Sequence, residues 1–212
     1  MNNVDKIIAK DLLKIGAVKL SPEKPFTWAS GIKSPIYCDN RTILSYPKIR
    51  TSVCDYMIDI IKENFKDVEY IAGVATGAIA WGVLVAEKLG IPFVYIRPKP
   101  KDHGMGNQIE GEIKEGAKAV VIEDLISTGK SSLSAVAALN KAGVITLGMV
   151  AIFSYNFIKA RRAFEYANIL LYTLSNYDTL IDEAVACDYI KEKDIDVLKQ
   201  WRITPETWRK EK

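Results

Sequence analysis

Histidine is almost missing from this chain of 212 residues, because His103 is the only one. An H-E-x-x-H zinc site, or a metal centre with several histidine ligands, needs at least two imidazoles and cannot be built. A Ser–His–Asp or Cys–His triad would have to use His103. The composition therefore excludes multi-histidine metal chemistry and restricts a nucleophilic triad to one position.

Cysteine is also scarce: three cysteines lie far apart in the chain, at positions 38, 54 and 187. No C-x-x-C pair occurs, which excludes zinc ribbons and thioredoxin-type motifs. An odd, scattered set is typical of a reducing compartment, and the N-terminus lacks the apolar region of a signal peptide. Apolar stretches near 78–86 and 148–153 are far shorter than the ~20 residues of a membrane span. We therefore expect a cytoplasmic protein without membrane contact.

Neither sign of charge is in large excess, since 29 Lys and Arg residues stand against 26 Asp and Glu residues. The resulting net charge of +3 is evenly spread and argues against a dedicated nucleic-acid binder. Hydrophobic residues make up 49% of the chain, enough for a sizeable core. At roughly 100–200 residues per domain, we expect a single domain over residues 1–212 and, most simply, an enzyme.

The hydrophobic pattern predicts an α/β fold with a parallel sheet covered by helices on both faces. Near-continuous apolar runs predict strands at 70–74, 92–97, 118–123, 146–154 and 169–174. Helical spacing predicts helices at 3–15, 47–65, 79–89, 131–142 and 157–167, with a helical tail from Thr179. The segment 17–47 is rich in proline, glycine and serine and predicts loops and short strands.

Ligands of such sheets bind beyond the carboxyl ends of the strands. At one of these ends, residues 120–131 read VVIEDLISTGKS, a buried strand followed by two acids and a turn of small residues. Backbone N–H groups of 127–131 would lie at a helix N-terminus, which favours a phosphate. Glu123 and Asp124 would repel that phosphate, so we expect them at the strand exit, facing sugar hydroxyls or the Mg²⁺ of a polyphosphate.

Two other interpretations of this motif compete with phosphate and sugar binding. A Walker A loop is excluded, because G-x-x-x-x-G-K-S needs glycine at the position of Asp124. An ordinary strand–turn–helix with exposed acids stays open if the motif is taken alone. A second feature is the basic segment 97–112, whose glycines at 104 and 106 suit a lid that closes over a polyanion. A solvated charged loop is the alternative for that segment.

Residues 120–131 resemble the signature of type I phosphoribosyltransferases, which bind 5-phosphoribosyl 1-pyrophosphate (PRPP) with two acids and a Thr/Ser-Gly loop. The wider chain resembles the orotate-specific members of that family over about residues 9–180. Residues 26–37 resemble their hood segment, 73–78 their pyrophosphate loop, and 97–104 with 107–111 their mobile catalytic loop and the strand after it.

The resemblance implies a parallel-sheet core over about 65–178, with a hood formed mainly by 1–45 and the C-terminal helices. It implies transfer of ribose 5-phosphate from PRPP to orotate, which gives orotidine 5′-monophosphate (OMP) and pyrophosphate in the synthesis of UMP. Mg²⁺ is implied as a cofactor that PRPP itself mainly holds, so no protein metal ligand is predicted. Arg97 is implied to reach the neighbouring subunit's site, which predicts a homodimer.

The resemblance also implies a role for individual residues. Lys101 and His103 close on the pyrophosphate and, with Asp124, form the catalytic set. Glu123 and Asp124 bind the ribose hydroxyls, and Ser127, Lys33 and Tyr37 contact orotate. The 5′-phosphate loop comprises Leu125, Ile126, Ser127, Thr128, Gly129, Lys130 and Ser131.

Three departures from the family pattern bear on substrate binding. Thr76 and Gly77 stand where some members carry Tyr-Lys, and Ala29 stands where some carry a lysine. The segment 154–157 lacks the arginine that some members use to contact orotate. We therefore expect the orotate carboxylate to be bound by backbone N–H groups near residues 30–33.

Two alternatives on the same fold remain. One is a phosphoribosyltransferase for another base, which the hood segment would decide because it contacts the base. The other is a non-catalytic PRPP-binding regulator, which the presence of Lys101 and His103 disfavours.

Overall fold

A computed structural model describes residues 3–28, 31–99 and 108–209. The N-terminal part contains four short strands and helix α1 (Val4–Lys14), whose apolar residues recur at helical spacing. β1 (Val18–Leu20) pairs antiparallel with β4 (Ile36–Cys38), and β2 (Phe26–Thr27) pairs antiparallel with β3 (Lys33–Ser34). The short strands expected from the proline-rich segment are therefore present.

A 3₁₀ helix (Asn40–Ser45) and the long helix α2 (Pro47–Asn64) connect these strands to the rest of the chain. Pro47 occupies the first turn of α2, where the missing N–H of proline costs no hydrogen bond. The side chain of Asp39 caps the 3₁₀ helix by accepting from the N–H of Arg41. These two helix starts fix the path of the chain between β4 and α2.

Within the described residues, the central sheet has six strands in the order β10-β9-β8-β5-β6-β7. All neighbours are parallel except β6 and β7. The elements after α2 are β5 (Tyr70–Val74), α3 (Ile79–Leu89), β6 (Phe93–Ile96), β7 (Ile109–Glu110), β8 (Lys118–Ile126), α4 (Lys130–Lys141), β9 (Ile145–Ser154), α5 (Ile158–Tyr166), β10 (Leu171–Asn176), α6 (Tyr177–Ala186) and α7 (Ile195–Ile203).

The core lies on both sides of this sheet. Residues 119–123 of β8 and 148–154 of β9 are buried without interruption, as expected for parallel strands with both faces covered. The predicted α/β class with a mostly parallel sheet is confirmed. None of the described helices is both long and apolar enough to cross a membrane.

One predicted boundary is wrong in a way that matters for the site. The pattern predicts that β8 ends at residue 123, but the strand continues to Ile126 because its ladder with β9 extends to the pair Ile126–Ser154. Glu123 and Asp124 therefore lie inside the strand rather than at its exit. The carboxyl ends of β5, β6, β8 and β9 meet at one edge of the sheet, where the candidate site lies.

Candidate active site

Glu123 and Asp124 are consecutive residues of β8 with different surroundings. Glu123 is only 4% exposed, and its carboxyl accepts hydrogen bonds from the Ser132 hydroxyl at 2.9 Å and the Asp124 N–H at 3.0 Å. Asp124 is less buried than Glu123. Glu123 is therefore held by the first turn of α4, whereas Asp124 is the member of the pair that reaches the edge of the site.

Burial, followed by the negative charge of Asp124, raises the pKa of Glu123 to about 8. Burial also raises the pKa of Asp124, and a hydrogen bond with Glu123 and the charge of Arg41 act in the opposite direction. This shift favours the protonated form of Glu123 at neutral pH. A protonated Glu123 lowers the negative charge that the pair presents to a bound polyanion.

The phosphate loop is shorter than the sequence predicts. Leu125 and Ile126 belong to β8, and Ile126 is fully buried while its carbonyl accepts from the Tyr155 N–H at 3.0 Å. Their predicted place in the loop is wrong, because the ladder with β9 includes both residues. The loop therefore begins at Ser127.

Gly129 is the residue that allows this loop to turn into α4. Its φ of +76° lies in the left-handed region, and a Cβ there would come within 2.9 Å of the Phe164 ring. Ser127 and Thr128 precede it, and Lys130 and Ser131 form the exposed start of α4. Backbone N–H groups at this helix start are suited to a phosphate.

The loop after β5 approaches Asp124 at Gly77. A Cβ added at Gly77 would overlap the Asp124 carboxyl group, so a side chain at this position would displace that carboxyl. The Ala75 N–H donates to the carbonyl of Ile96 at 2.8 Å, which ties the loop to the end of β6. The departure from the Tyr-Lys pattern therefore has a local cause: the bare backbone of Gly77 lies against Asp124.

The predicted orotate residues lie on the short N-terminal strands. The ammonium group of Lys33 donates to the Thr27 hydroxyl at 3.2 Å, and Tyr37 is 42% exposed on β4 beside the Phe26 ring. The Gly31 N–H donates to the Trp28 carbonyl at 2.8 Å. The Gly31 N–H is therefore engaged within the chain, Ser30 lies outside the described residues, and binding of the orotate carboxylate by N–H groups near residues 30–33 stays a prediction.

Arg97 follows β6 at the same edge of the sheet. Its guanidinium lies 3.5 Å from the Glu110 carboxylate, and its backbone N–H donates to the Gln108 carbonyl at 2.8 Å. Lys101 and His103, which the sequence places in the catalytic loop, lie outside the described residues. Arg97 therefore marks where that segment begins.

The segment Asp39–Asn40–Arg41 belongs to the site although the sequence analysis did not identify it. The buried Asn40 amide donates to the Asp124 carbonyl at 2.5 Å and accepts from the Cys38 thiol at 3.3 Å. Asp39 binds the Arg41 guanidinium through two bonds of 2.7 and 2.9 Å. The available signal was the unusually polar run Asp-Asn-Arg directly after an apolar strand.

Two cavities lie next to the site, and one of them reaches the phosphate loop at Thr128. One of about 330 Å³ is bounded by Trp28, Ile32 and Thr128 together with the chain around 202–207. The other, of about 750 Å³, lies between α5, β10 and α7. Neither cavity is lined by Asp124 or by the predicted orotate residues Lys33 and Tyr37.

A family model described as "Phosphoribosyl transferase domain" matches residues 39–181, more than half of the chain. The chain belongs to the phosphoribosyltransferase family. The match begins at Asp39, the first residue of the segment that holds Asp124, and ends within α6.

Relatives of this phosphoribosyltransferase are similar over almost its whole length. A protein of Porphyromonas gingivalis named "Orotate phosphoribosyltransferase" is 53% identical over 208 residues, 98% of this chain and 99% of its own. One of Enterococcus faecalis with the same name is 55% identical over 99% of this chain and 100% of its own. The crystal structure of orotate phosphoribosyltransferase from Aeropyrum pernix is 25% identical, with a TM-score of 0.75 over 87% of this chain and 99% of that one.

Proposed function

We propose that this phosphoribosyltransferase transfers the ribose 5-phosphate of PRPP to orotate, giving OMP and pyrophosphate in pyrimidine biosynthesis. The observation that carries the proposal is 53–55% identity, over 98–99% of the chain, to proteins named orotate phosphoribosyltransferase. The arrangement of Asp124 beside a phosphate-type loop supports it. The enzyme is a pentosyltransferase.

In this reaction the bond between ribose C1 and the pyrophosphate oxygen breaks, and N1 of orotate bonds to C1. The transition state has oxocarbenium character, as in other glycosyl transfers. The main task of the protein is to position the two substrates and to neutralise charge on the leaving pyrophosphate. Proton transfer at the sugar is a minor requirement, which fits a chain with a single histidine.

Asp124 is proposed to bind the ribose hydroxyls, because its carboxyl lies at the edge of the site between Gly77 and the phosphate loop. Residues 127–131 are proposed to hold the 5′-phosphate through backbone N–H and hydroxyl groups. Glu123 is proposed to act through Asp124, because it is buried and accepts from Ser132 and from the Asp124 N–H, while its contact with the ribose hydroxyls stays a prediction. Lys33, Tyr37 and Ser127 are proposed to surround the base.

Lys101 and His103 are proposed to neutralise the pyrophosphate, and Mg²⁺ is proposed to bind mainly through PRPP. Mg²⁺ supplies positive charge to the leaving pyrophosphate when it is bound. Mg²⁺ prefers oxygen ligands from the substrate and from one or two carboxylates. The carboxylate oxygens of Asp124 are of this type, and they are equally suited to the ribose hydroxyls.

A homodimer with shared active sites is proposed, in which Arg97 reaches the partner's pyrophosphate. The position of Arg97 at the start of the catalytic segment, with a side chain that is 37% exposed, supports this role. We also propose a cytoplasmic location, in keeping with three free cysteines.

The direct test is an assay of the purified protein with orotate, PRPP and Mg²⁺, in which OMP and pyrophosphate are measured. Wild type should form both products in equal amounts. Asp124→Asn should lower kcat/KM by about 10²–10³-fold, whereas Asp188→Asn at an exposed position should leave activity unchanged. Absence of OMP in the presence of PRPP binding would instead favour the regulator, and a purine nucleotide product would favour another base.

A further inference from the structure

Asp39 and Asp124 belong to two segments that the hydrogen bond between Asn40 and the Asp124 carbonyl holds together. Orotate is itself an anion, because it carries a carboxylate on C6 next to the reacting N1. A buried or half-buried carboxylate needs cationic or N–H donors, and charge-assisted bonds to a guanidinium are the strongest that side chains offer.

The positions expected to supply these donors are already engaged in part. The Gly31 N–H is bonded to Trp28, and the ammonium of Lys33 is bonded to Thr27. Arg41 is a further cation among the described residues, and its neighbour Asn40 is clamped to the main chain of Asp124 at 2.5 Å. Arg41 therefore directly follows the residue that is bonded to Asp124, although 82 residues separate Arg41 and Asp124 along the chain.

Asp39 holds the guanidinium of Arg41 in one orientation and engages only some of its N–H donors. Asp39 accepts from Nε and Nη2, which uses two of the five N–H groups of the guanidinium. The side chain is 61% exposed, so the remaining edge is accessible to a ligand. A planar edge with parallel N–H groups matches a carboxylate through two bonds.

The path of the chain places Arg41 near both the ribose and the base parts of the site, because β4 carries Tyr37 and because Asn40, the neighbour of Arg41, is bonded to the Asp124 carbonyl. The hydrogen bond and the charge of Asp39 are the main causes that raise the pKa of Arg41, and the charges of Asp124 and Tyr37 act in the same direction. Tyr37 is the residue proposed to cover the base, and Asp124 the one proposed to bind the ribose. Arg41 therefore belongs to the segment that joins the residues proposed for the base and for the ribose.

We propose that Arg41, oriented by Asp39, binds the carboxylate of orotate and selects this base over pyrimidines that lack a carboxylate. The inference rests on the proposed function and adds to it the group that recognises the substrate. It also accounts for the missing arginine in segment 154–157, because Arg41 supplies the cation from a different element.

Binding of OMP and UMP measured by calorimetry tests this inference, since the two nucleotides differ only in the carboxylate. Arg41→Gln should weaken OMP binding by about ten- to a hundred-fold and leave UMP binding within about twofold. Arg41→Lys keeps the charge but loses the planar edge, and it should weaken OMP binding less than Arg41→Gln does. Asp39→Asn should weaken OMP alone, and Arg162→Gln on the exposed side of α5 is the matched control. The unfolding midpoint of each variant checks that it folds.

The possible results separate this inference from the proposed function. If wild type makes OMP but Arg41→Gln binds OMP normally, or loses OMP and UMP equally, the role of Arg41 is wrong and the proposed function stands. If wild type neither makes OMP nor binds it more tightly than UMP, the proposed function is wrong and the role of Arg41 with it. If Arg41→Gln loses OMP binding and keeps UMP binding, the result supports both the role of Arg41 and the proposed function.

Discussion

At the scale of single residues, the acid pair of β8 is divided between two tasks. Asp124 reaches the edge of the site, whereas Glu123 is buried against Ser132 and holds the Asp124 N–H. The sequence identifies both acids but not this difference, because it depends on how far β8 extends and on α4 packing against it. Side chains of neighbouring residues in a strand point to opposite faces of the sheet. Because β8 extends to Ile126 and includes both acids, only one of the two carboxyls faces the site.

Glu123→Gln should change how stability depends on pH. A folded-state pKa of about 8, above that of an unfolded glutamate, contributes stability at low pH that is lost as pH rises toward 8. Glutamine has no such dependence. The free energy of unfolding of the variant relative to wild type should therefore rise between pH 5 and pH 8, by at most about 1.4 kcal/mol per pH unit.

Chemical denaturation at several pH values measures this difference. Glu165→Gln on exposed α5 is the control for the substitution itself. A difference between Glu123→Gln and wild type that stays constant from pH 5 to pH 8 would show that Glu123 does not retain a proton in the folded enzyme.

Gly77→Ala should displace the Asp124 carboxyl, because the new Cβ would overlap it. We expect the KM for PRPP to rise by about tenfold or more, since a misplaced contact of this kind costs binding and rate. The unfolding midpoint should change little, because Asp124 can rotate away. Steady-state kinetics with unchanged KM and kcat would contradict the close contact between Gly77 and Asp124.

At the scale of elements, the local hydrophobic pattern predicts the strands and helices well. It predicts poorly the contacts between residues that are far apart in the chain. The strand at 70–74 and the helix at 79–89 have the bounds that their apolar runs and the following glycines predict. The hydrogen bond between Asn40 and Asp124 joins residues 84 positions apart, and no local signal indicates it. The same holds for α7, whose amphipathic pattern predicts a helix but not what it contacts.

Helix α7 contacts the N-terminal strands of the hood. The Trp201 indole N–H of α7 donates to the Lys33 carbonyl at 3.1 Å, and its ring packs edge-on against Trp28 at 5.7 Å. Tyr155, Phe157 and Tyr177 complete this aromatic cluster around the fully buried Trp201. The last helix of the chain therefore holds the strand that carries a proposed orotate residue.

Trp201→Phe should weaken this joint, because it removes the bond to Lys33 and part of the buried ring. We expect a loss of about 1–3 kcal/mol in the free energy of unfolding. The KM for orotate should rise while the KM for PRPP changes little. Trp208→Phe, at a half-buried position nearer the C-terminus, is the matched control; equal effects of the two variants on the KM for orotate would contradict a specific role for Trp201.

At the scale of the whole molecule, shared active sites would link the two subunits. In a dimer of this kind, an Arg97→Ala subunit retains its own Asp124, and an Asp124→Asn subunit retains its Arg97. Mixing the two inactive variants should restore one intact site in each mixed dimer, roughly a quarter of all sites after random exchange. The assay is OMP formation after co-refolding. No recovery in dimers confirmed by light scattering would contradict the transfer of Arg97 across the interface.

The most direct measurement of the central claim is a competition assay with one enzyme and several bases. Orotate, uracil, adenine and hypoxanthine are supplied at equal concentration with limiting PRPP and Mg²⁺, and the nucleotide products are separated and quantified. The account predicts OMP as the dominant product, with pyrophosphate released in equal amount. Dominance of any other nucleotide, or no nucleotide at all from a folded protein, would contradict it.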